Sequence, residues 1–175
     1  MDEYENRIAQ LLQELEAPPR SSSSMSRMFR EAVQLISVGA DIYGREQKLT
    51  PQAAAAWQSM KAAAENDGQI LQLVSAFRSV DYQKQIIQRK RAAGQSWEQI
   101  LRVSALPGYS EHHTGRTIDV TCPDCKPLTE DFDSTSAFAW LSLHAGKFGF
   151  TMTYPPGNPL GVAYEPWHWT FQPRS

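Results

Sequence analysis

The sequence lacks the long apolar run that a membrane-spanning helix requires. Such a helix needs about 18 consecutive apolar residues, and no stretch of this chain approaches that length. The chain begins MDEYENRI, which is acidic and polar, whereas a secretory signal is basic and then apolar. We therefore expect no transmembrane segment, and no export signal is visible in the sequence as it stands.

The sequence also lacks an excess of charge of either sign. Its 17 lysines and arginines nearly balance its 19 aspartates and glutamates. The net charge is -2, and no basic block or stripe is present that would attract a phosphate backbone. We therefore expect no nucleic-acid partner. The 175 residues, of which 41% are hydrophobic, suit one ordinary packed domain, and we favour a monomer.

Cysteine is rare. The chain has 2 cysteines, Cys122 and Cys125, which form a single Cys-Pro-Asp-Cys motif. One such pair cannot supply the four ligands of a structural zinc site, and a thioredoxin-type motif needs a helix directly after it. No helix is predicted directly after Cys125. We expect a loop disulfide or two ordinary thiols, with redox regulation as a weaker alternative.

The first 24 residues form a segment of their own. Apolar residues recur at helical spacing over residues 2–17, and the pattern then breaks at two prolines and the serines of positions 21–24. Residues 1–24 are therefore predicted to be an amphipathic helix and a Ser/Pro-rich linker, followed by a single domain at residues 25–175. The polar face of the helix carries glutamates rather than lysines, which favours packing on the domain over a membrane surface or a partner.

The remaining sequence predicts helices first and strands later. Predicted helices cover residues 27–43, 51–67, 80–93, 97–103 and 134–147, and a polar loop covers residues 107–114. Predicted strands cover residues 70–77, 116–121, 150–154 and 167–171. This order is typical of an α+β fold, with helices packed on a small antiparallel sheet.

Two short segments contain the residue types of a catalytic metal site, which needs three nitrogen or oxygen ligands, an open position for water and a nearby carboxylate. In SEHHTGRTIDV, His112 and Asp119 flank Gly115, which allows a sharp turn before the predicted strand. In YEPWHW, Glu165 and His168 are three residues apart, and a proline between them disfavours a helix. Neighbouring side chains that can hydrogen-bond to the ligands or wall the site are Ser110, Glu111, Tyr164 and Trp167.

These segments resemble the VanY-type D-alanyl-D-alanine carboxypeptidases and, more broadly, the zinc peptidases that include VanX-type dipeptidases and some phage endolysins. The family pattern S-x-H-x-x-G-x-A-x-D, followed by E-P-W-H, is similar to SEHHTGRTID and EPWH in this chain. The S-G-Y-R-S segment of the family is matched by SAFRS at residues 75–79, and Gln83 falls where the family often has glutamine. The resemblance covers residues 71–171.

The resemblance implies a zinc peptidase domain at residues 25–175, with Zn2+ as the cofactor. The zinc ligands that it implies are His112, Asp119 and His168. It makes Glu165 the general base and acid, while Arg78 would bind the substrate or polarise its carbonyl group. Further substrate contacts expected beside Arg78 are Gln83, Ser110 and Trp167.

Three positions depart from the family pattern. Thr117 stands where a small residue is usual, SAFRS replaces S-G-Y-R-S, and Thr153 replaces an arginine that often precedes the late Tyr-Pro. None of these changes removes a ligand or the base. They affect residues that shape the pocket, so we expect them to alter substrate preference more than catalysis.

The expected function is release of a terminal D-alanine from peptidoglycan stem peptides, which are the expected partners. A D-alanyl-D-alanine dipeptidase and an L,D- or endolysin-type peptidase are alternatives that use the same site. An alternative of another class is a non-catalytic, zinc-bound module that binds cell wall or protein, although such a module needs no base at Glu165. The expected location is the cell wall or periplasm if an export signal has been removed, and otherwise the protein is cytoplasmic or phage-encoded.

Overall fold

The computed structural model describes residues 2–19, 27–160 and 162–173. Within these ranges the α-helices are α1 (Glu3–Glu14), α2 (Pro51–Asn66), α3 (Val80–Ala92), α4 (Trp97–Val103) and α5 (Ser136–His144). The strands are β1 (Ile36–Ala40), β2 (Glu46–Leu49), β3 (Gln72–Ser75), β4 (Thr117–Thr121), β5 (Phe150–Met152) and β6 (His168–Phe171). Short 3-10 helices occupy Glu111–Thr114, Glu130–Ser134 and Ala145–Phe148. The predicted serine linker, residues 21–24, lies outside the described residues, and no helix that is described has the length and apolarity to cross a membrane.

Two side-chain caps and a proline explain where three of the helices begin. The hydroxyl of Ser79 accepts a backbone N–H at the start of α3, and Ser96 and Gln99 form a capping box at the start of α4. Thr50 has an extended backbone before Pro51, the first residue of α2, where the fixed φ of proline suits a helix. The helices predicted to begin at these positions are confirmed.

The helix predicted at residues 27–43 is wrong, because strand β1 and the turn that follows it occupy part of that range. Strands β1 and β2 form an antiparallel hairpin. The Oδ1 of Asp41 accepts hydrogen bonds from the N–H groups of Tyr43 at 2.8 Å and Arg45 at 3.0 Å. Gly44 has a φ of 77°, which a residue without a Cβ adopts at low cost. Local turn chemistry therefore prevails over the apolar spacing that suggested a helix.

The other four strands form an antiparallel sheet in the order β3-β4-β6-β5. Successive side chains of a strand point to opposite faces of its sheet. The apolar members of the two central strands belong to one buried core with α2 and α5: Ile118, Val120, Trp169 and Phe171. The polar members occupy the other face: Thr117, Asp119, Thr121, His168 and Thr170. The predicted α+β architecture is confirmed, and its polar face carries two of the predicted ligands.

The N-terminal helix α1 packs on the domain through its apolar face. Ile8 and Leu11 are buried in a cluster with Val80 and Leu106. The contact is close at Gly108, where an added Cβ would lie 2.7 Å from the side chain of Ile8. This helix is therefore part of the packed structure. That agrees with the expectation, drawn from the glutamates on its polar face, that it packs on the domain.

Candidate active site

Three predicted ligands, His112, Asp119 and His168, come together at the end of the sheet. One ligand atom of each lies within 4.8 Å of those of the other two, and all three residues are buried. Asp119 and His168 lie opposite each other because β4 and β6 pair in that register. His112 comes from the 3-10 helix Glu111–Thr114, which ends at Gly115 with a φ of 63°. The turn at this glycine therefore brings a loop histidine beside two strand residues.

The protons on His112 are fixed by its surroundings. Its Nδ1 lies 2.6 Å from the carbonyl oxygen of Ala76, which only accepts, so Nδ1 carries a proton and donates it. Burial lowers the pKa of His112 to about 4, so its Nε2 has a free lone pair. That Nε2 lies 3.2 Å from the Oδ2 of Asp119, and it makes no well-aligned hydrogen bond with the described residues. A cation between the two atoms would satisfy both.

His168 contacts a carboxylate at each ring nitrogen. Its Nε2 donates to the Oε2 of Glu111 at 2.9 Å, and its Nδ1 lies 3.1 Å from the Oδ1 of Asp119. Burial alone would lower the pKa of His168, but the hydrogen bonds with Asp119 and Glu111 raise it to about 10. A metal ion would therefore replace the proton on Nδ1 while Glu111 keeps the proton on Nε2 in place.

Asp119 completes a donor set suited to zinc. Burial alone would raise its pKa, but contacts with His112 and His168 hold the pKa of Asp119 well below its ordinary value. The carboxylate is therefore ionised. Two imidazole nitrogens and one carboxylate oxygen match the three protein ligands of a catalytic zinc site, which keeps its fourth position for water.

Glu165 lies beside this group. Its Oε2 is 3.6 Å from the Nδ1 of His168. Its backbone N–H donates to the carbonyl of Tyr154 at 3.1 Å, and its own carbonyl accepts from the N–H of His168 at 3.1 Å, so the turn is held at both ends. Burial raises the pKa of Glu165 to about 7. A carboxylate with this pKa can take up and release a proton near neutral pH.

Arg78 reaches the same group from the segment that follows β3. Its Nη2 lies 3.7 Å from the Oδ2 of Asp119, and its Nη1 donates to the Oε1 of Gln83 at 3.2 Å. Gln83 in turn donates from Nε2 to the carbonyl of Ala105 at 2.7 Å. Gln83 is buried, and it is not among the described residues that line the cavity. Its hydrogen bond supports Arg78, and the substrate contact that the sequence suggested stays a prediction. The Nε–H of Arg78 is buried and has no acceptor among the described residues.

A cavity of about 900 Å³ opens over these groups. Ser110 and Trp167, both predicted substrate contacts, line it, and the Ser110 hydroxyl also accepts the N–H of His112 at 3.3 Å. The tyrosine that faces the site is Tyr154, whose ring centre lies 4.7 Å from that of His168. Tyr164, which the sequence suggested for that role, is not among the described lining residues.

Lys90 is a cation of the cavity that the sequence analysis missed. It lines the cavity from α3, donates from Nζ to the Oγ of Ser104 at 2.5 Å and makes no ion pair with a described carboxylate. Burial lowers the pKa of Lys90. The signal was its helical spacing, since Lys90 follows the buried residues Gln83 and Ile87 at seven and three positions.

Two features of the sequence stay outside the metal group. Cys122 and Cys125 are free thiols, and burial raises the pKa of Cys122. His113 is adjacent to a predicted ligand, but its Nδ1 donates to the carbonyl of Arg78 at 2.6 Å and its Nε2 accepts the N–H of Gly108 at 3.1 Å. Both nitrogens of His113 are therefore used within the fold.

Comparison with known proteins agrees with this geometry. The sequence profile of the VanY D-alanyl-D-alanine carboxypeptidase family matches residues 46–174, well over half of the chain. The chain therefore belongs to the VanY D-alanyl-D-alanine carboxypeptidase family. The Bacillus subtilis protein YodJ, named as a carboxypeptidase, is 35% identical over 120 residues that cover 67% of this chain and 44% of YodJ. The chain thus spans less than half of the length of that relative.

Solved structures share the fold. One is the LD-carboxypeptidase LdcB, whose structure reveals the molecular basis of peptidoglycan recognition. Its TM-score with this chain is 0.71 and its sequence identity is 30%. The match covers 81% of this chain and 69% of the LdcB chain. A mutant of the D,D-pentapeptidase VanY from a VanB-type resistance cassette, in complex with Zn(II), has a TM-score of 0.64 and 24% identity. That match covers 85% of this chain and 88% of the VanY chain. The second comparison supports the fold alone.

Proposed function

We propose that this chain is a zinc-dependent carboxypeptidase that releases a terminal D-alanine from peptidoglycan stem peptides. The observation that carries the proposal is the buried group of His112, Asp119 and His168. In it the Nε2 of His112 has no hydrogen-bond partner among the described residues and lies 3.2 Å from a carboxylate oxygen of Asp119, where a cation would satisfy both atoms. Family membership supports the same chemistry. The ligands in the proposal are His112, Asp119 and His168.

The proposed mechanism follows from the positions of two side chains. A zinc ion, when bound, acts as a Lewis acid and lowers the pKa of water toward 7. Glu165 accepts the proton of the attacking water and later returns it to the leaving amine. Arg78 lines the cavity, and its guanidinium charge can stabilise the negative charge that develops on the peptide carbonyl oxygen.

Lys90 gives the proposed carboxypeptidase a means of recognising a chain end. A peptide that ends in the cavity brings a carboxylate with it, and a partly buried ammonium group without a carboxylate partner can bind that group. An internal peptide bond offers no such charge. Lys90 therefore favours an exopeptidase over an endopeptidase of the endolysin kind.

The stereochemistry of the cleaved bond belongs to the proposal. LdcB is an LD-carboxypeptidase and the VanY structure is that of a D,D-pentapeptidase, so the fold occurs with both preferences. Mass spectrometry of defined stems ending in L-Lys-D-Ala-D-Ala and L-Lys-D-Ala, incubated with zinc-loaded protein, tests the proposal. We expect loss of one alanine from one of the stems and no loss with Glu165→Gln. Two intact stems would overturn it, and cleavage of free D-Ala-D-Ala would indicate a dipeptidase.

A non-catalytic, zinc-bound module is the second candidate. Such a module needs the ligands but has no use for a carboxylate whose pKa burial raises to about 7. If Glu165→Gln and the unchanged protein bind stem peptides equally and neither cleaves them, the module is the better description. Localisation at the cell wall or periplasm, and a monomeric state, stay predictions.

A further inference from the structure

A chain of hydroxyl groups lies behind the metal group on the polar face of the sheet. The Oγ1 of Thr170 lies 2.8 Å from the Oε2 of Glu111, the atom that also accepts from His168. Thr170 is in turn 3.0 Å from the Oγ1 of Thr117 and 3.1 Å from the Oγ1 of Thr153. These three threonines and Glu111, here called the threonine network, therefore end at the ring of one predicted ligand.

Counting protons gives the central bond of the threonine network a direction. The carboxylate of Glu111 only accepts, so Thr170 donates its single hydroxyl proton to Glu111. Thr170 then has two lone pairs left, which can accept from the hydroxyls of Thr117 and Thr153. Burial alone would raise the pKa of Glu111, whereas a hydrogen bond from Thr153 helps to lower it, so Thr153 supports the same carboxylate from a second side.

The network follows from the register of the strands. Thr117 lies opposite Thr170, and Asp119 lies opposite His168, on the paired strands β4 and β6. Residues two apart on a strand share a face, so the threonine pair stands next to the ligand pair. Thr153 lies in the segment after β5 and contacts Thr170 from there. It directly precedes Tyr154, whose ring contacts that of His168.

The network unites two positions where the sequence departs from the family pattern. Thr117 replaces a small residue, and Thr153 replaces an arginine. In the fold both side chains contact the same atom, the Oγ1 of Thr170. The two departures therefore form one feature, which supports Glu111 from behind.

We propose that Thr170, supported by Thr117 and Thr153, is a positioning residue that holds Glu111 in place so that His168 keeps its proton on Nε2 and presents Nδ1 to the metal. The identity of the ion rests on the proposed function. Partners of this kind behind a ligating histidine change metal affinity by about 10- to 100-fold. The three threonines thus act on the metal through Glu111 and His168, and none of the three is among the described residues that line the cavity.

The test measures zinc affinity by competition with a chromogenic chelator, which needs no substrate. Thr170→Val keeps the side-chain shape and removes the hydroxyl. We expect zinc to bind more weakly, by less than the about 10- to 100-fold that loss of the direct partner Glu111 would cause. Thr121→Val is the matched control, because Thr121 is buried on the same face of β4 but lies outside the network and donates to the carbonyl of Cys125. Its zinc affinity should equal that of the unchanged protein.

Two additional measurements separate positioning from a general loss of stability. Thr153→Val, at a half-buried residue, removes one donor and should weaken zinc binding less than Thr170→Val does. The absorption spectrum of the Co2+-substituted protein should shift in both variants and not in Thr121→Val. Equal zinc affinities and unchanged spectra in all variants would overturn the network. Failure of the unchanged protein to bind zinc would overturn both proposals, whereas zinc binding without peptide cleavage would overturn only the proposed activity.

Discussion

Asp119 and His168 lie opposite each other on antiparallel strands, and the Nδ1 of His168 is 3.1 Å from the Oδ1 of Asp119. The sheet register therefore places two of the three predicted ligands beside each other before any loop contributes. Only His112 depends on a loop, whose turn at Gly115 has a φ of 63°. The metal group is thus built mainly on paired strands, which hold side chains more rigidly than loops do.

Replacing a ligand should abolish metal binding. His112→Ala removes one of three donors, and we expect zinc content to fall from about one ion per chain to near zero. Peptide cleavage should be lost with it. Metal analysis after dialysis checks this, with His144→Ala as the matched control because His144 lies on α5 outside the metal group. Full zinc content in His112→Ala would remove this residue from the ligand set.

Replacing the proposed base should separate metal binding from catalysis. In Glu165→Gln we expect zinc content to stay unchanged and kcat to fall by about 100- to 10,000-fold, since proton transfer in the transition state is lost. Steady-state kinetics and metal analysis on the same preparation check both. Comparable loss of zinc would instead indicate that Glu165 is a ligand.

The activity should fall at acid pH. Burial raises the pKa of Glu165 to about 7, and a base works only when it is deprotonated, so kcat/KM should be high above the pKa and decline tenfold per pH unit below it. The positive charge of bound zinc lowers this pKa, so the midpoint should lie below 7. A pH profile of kcat/KM with a fixed stem peptide measures it, and a flat profile between pH 5 and pH 8, about the range usable for such assays, would contradict the role.

Lys90 should matter only for substrates with a free chain end. In Lys90→Met we expect the KM of a stem peptide to rise by about tenfold, since one hydrogen bond to a charged group is lost. A stem with an amidated C-terminus should be cleaved poorly and equally by both proteins. Lys84→Met is the control, because Lys84 lies on the same helix and pairs with Glu14 on the surface. An equal effect on both substrates would show that Lys90 does not bind the carboxylate.

The metal-free protein should lose stability in acid partly through Glu111. Burial alone would raise the pKa of Glu111, but the hydrogen bond from His168 lowers it to about 2. Its folded-state pKa is thus below the ordinary 4.5, so its contribution is present above pH 4.5 and disappears as the pH falls toward 2. Thermal unfolding of chelator-treated protein should show a smaller acid decrease of Tm for Glu111→Gln. Identical decreases would contradict it.

Local patterns in the sequence predicted the two strands that carry Asp119 and His168. The alternation in TIDVT and HWTF marks two strands, and the order of polar and apolar residues on them already places Asp119 and His168 on polar faces. The strand register, and with it the contact between these residues, is a long-range property. The sequence alone did not specify it, and the family resemblance supplied the ligand set.

The errors have physical causes of the same kind. The hairpin at β1 and β2 was missed because the side chain of Asp41 and the φ of Gly44 determine the turn, whereas the apolar spacing suggested a helix. The burial of Gln83 and its hydrogen bond to Arg78 depend on how α3 packs, which the local sequence does not report. The link from Glu111 to His168 joins residues 57 positions apart, and no local pattern reports it.

The alternation along β4 and β6 has a consequence for the evolution of this protein. Odd positions of β4 and even positions of β6 carry the polar side chains, and the residues between them fill the core. A complete mutational scan should therefore show two interleaved sensitivities. Changes at Ile118 or Trp169 should lower the amount of folded protein, while changes at Asp119 or His168 should leave abundant protein that no longer works. A single strand thus records selection for folding and selection for chemistry at alternate residues.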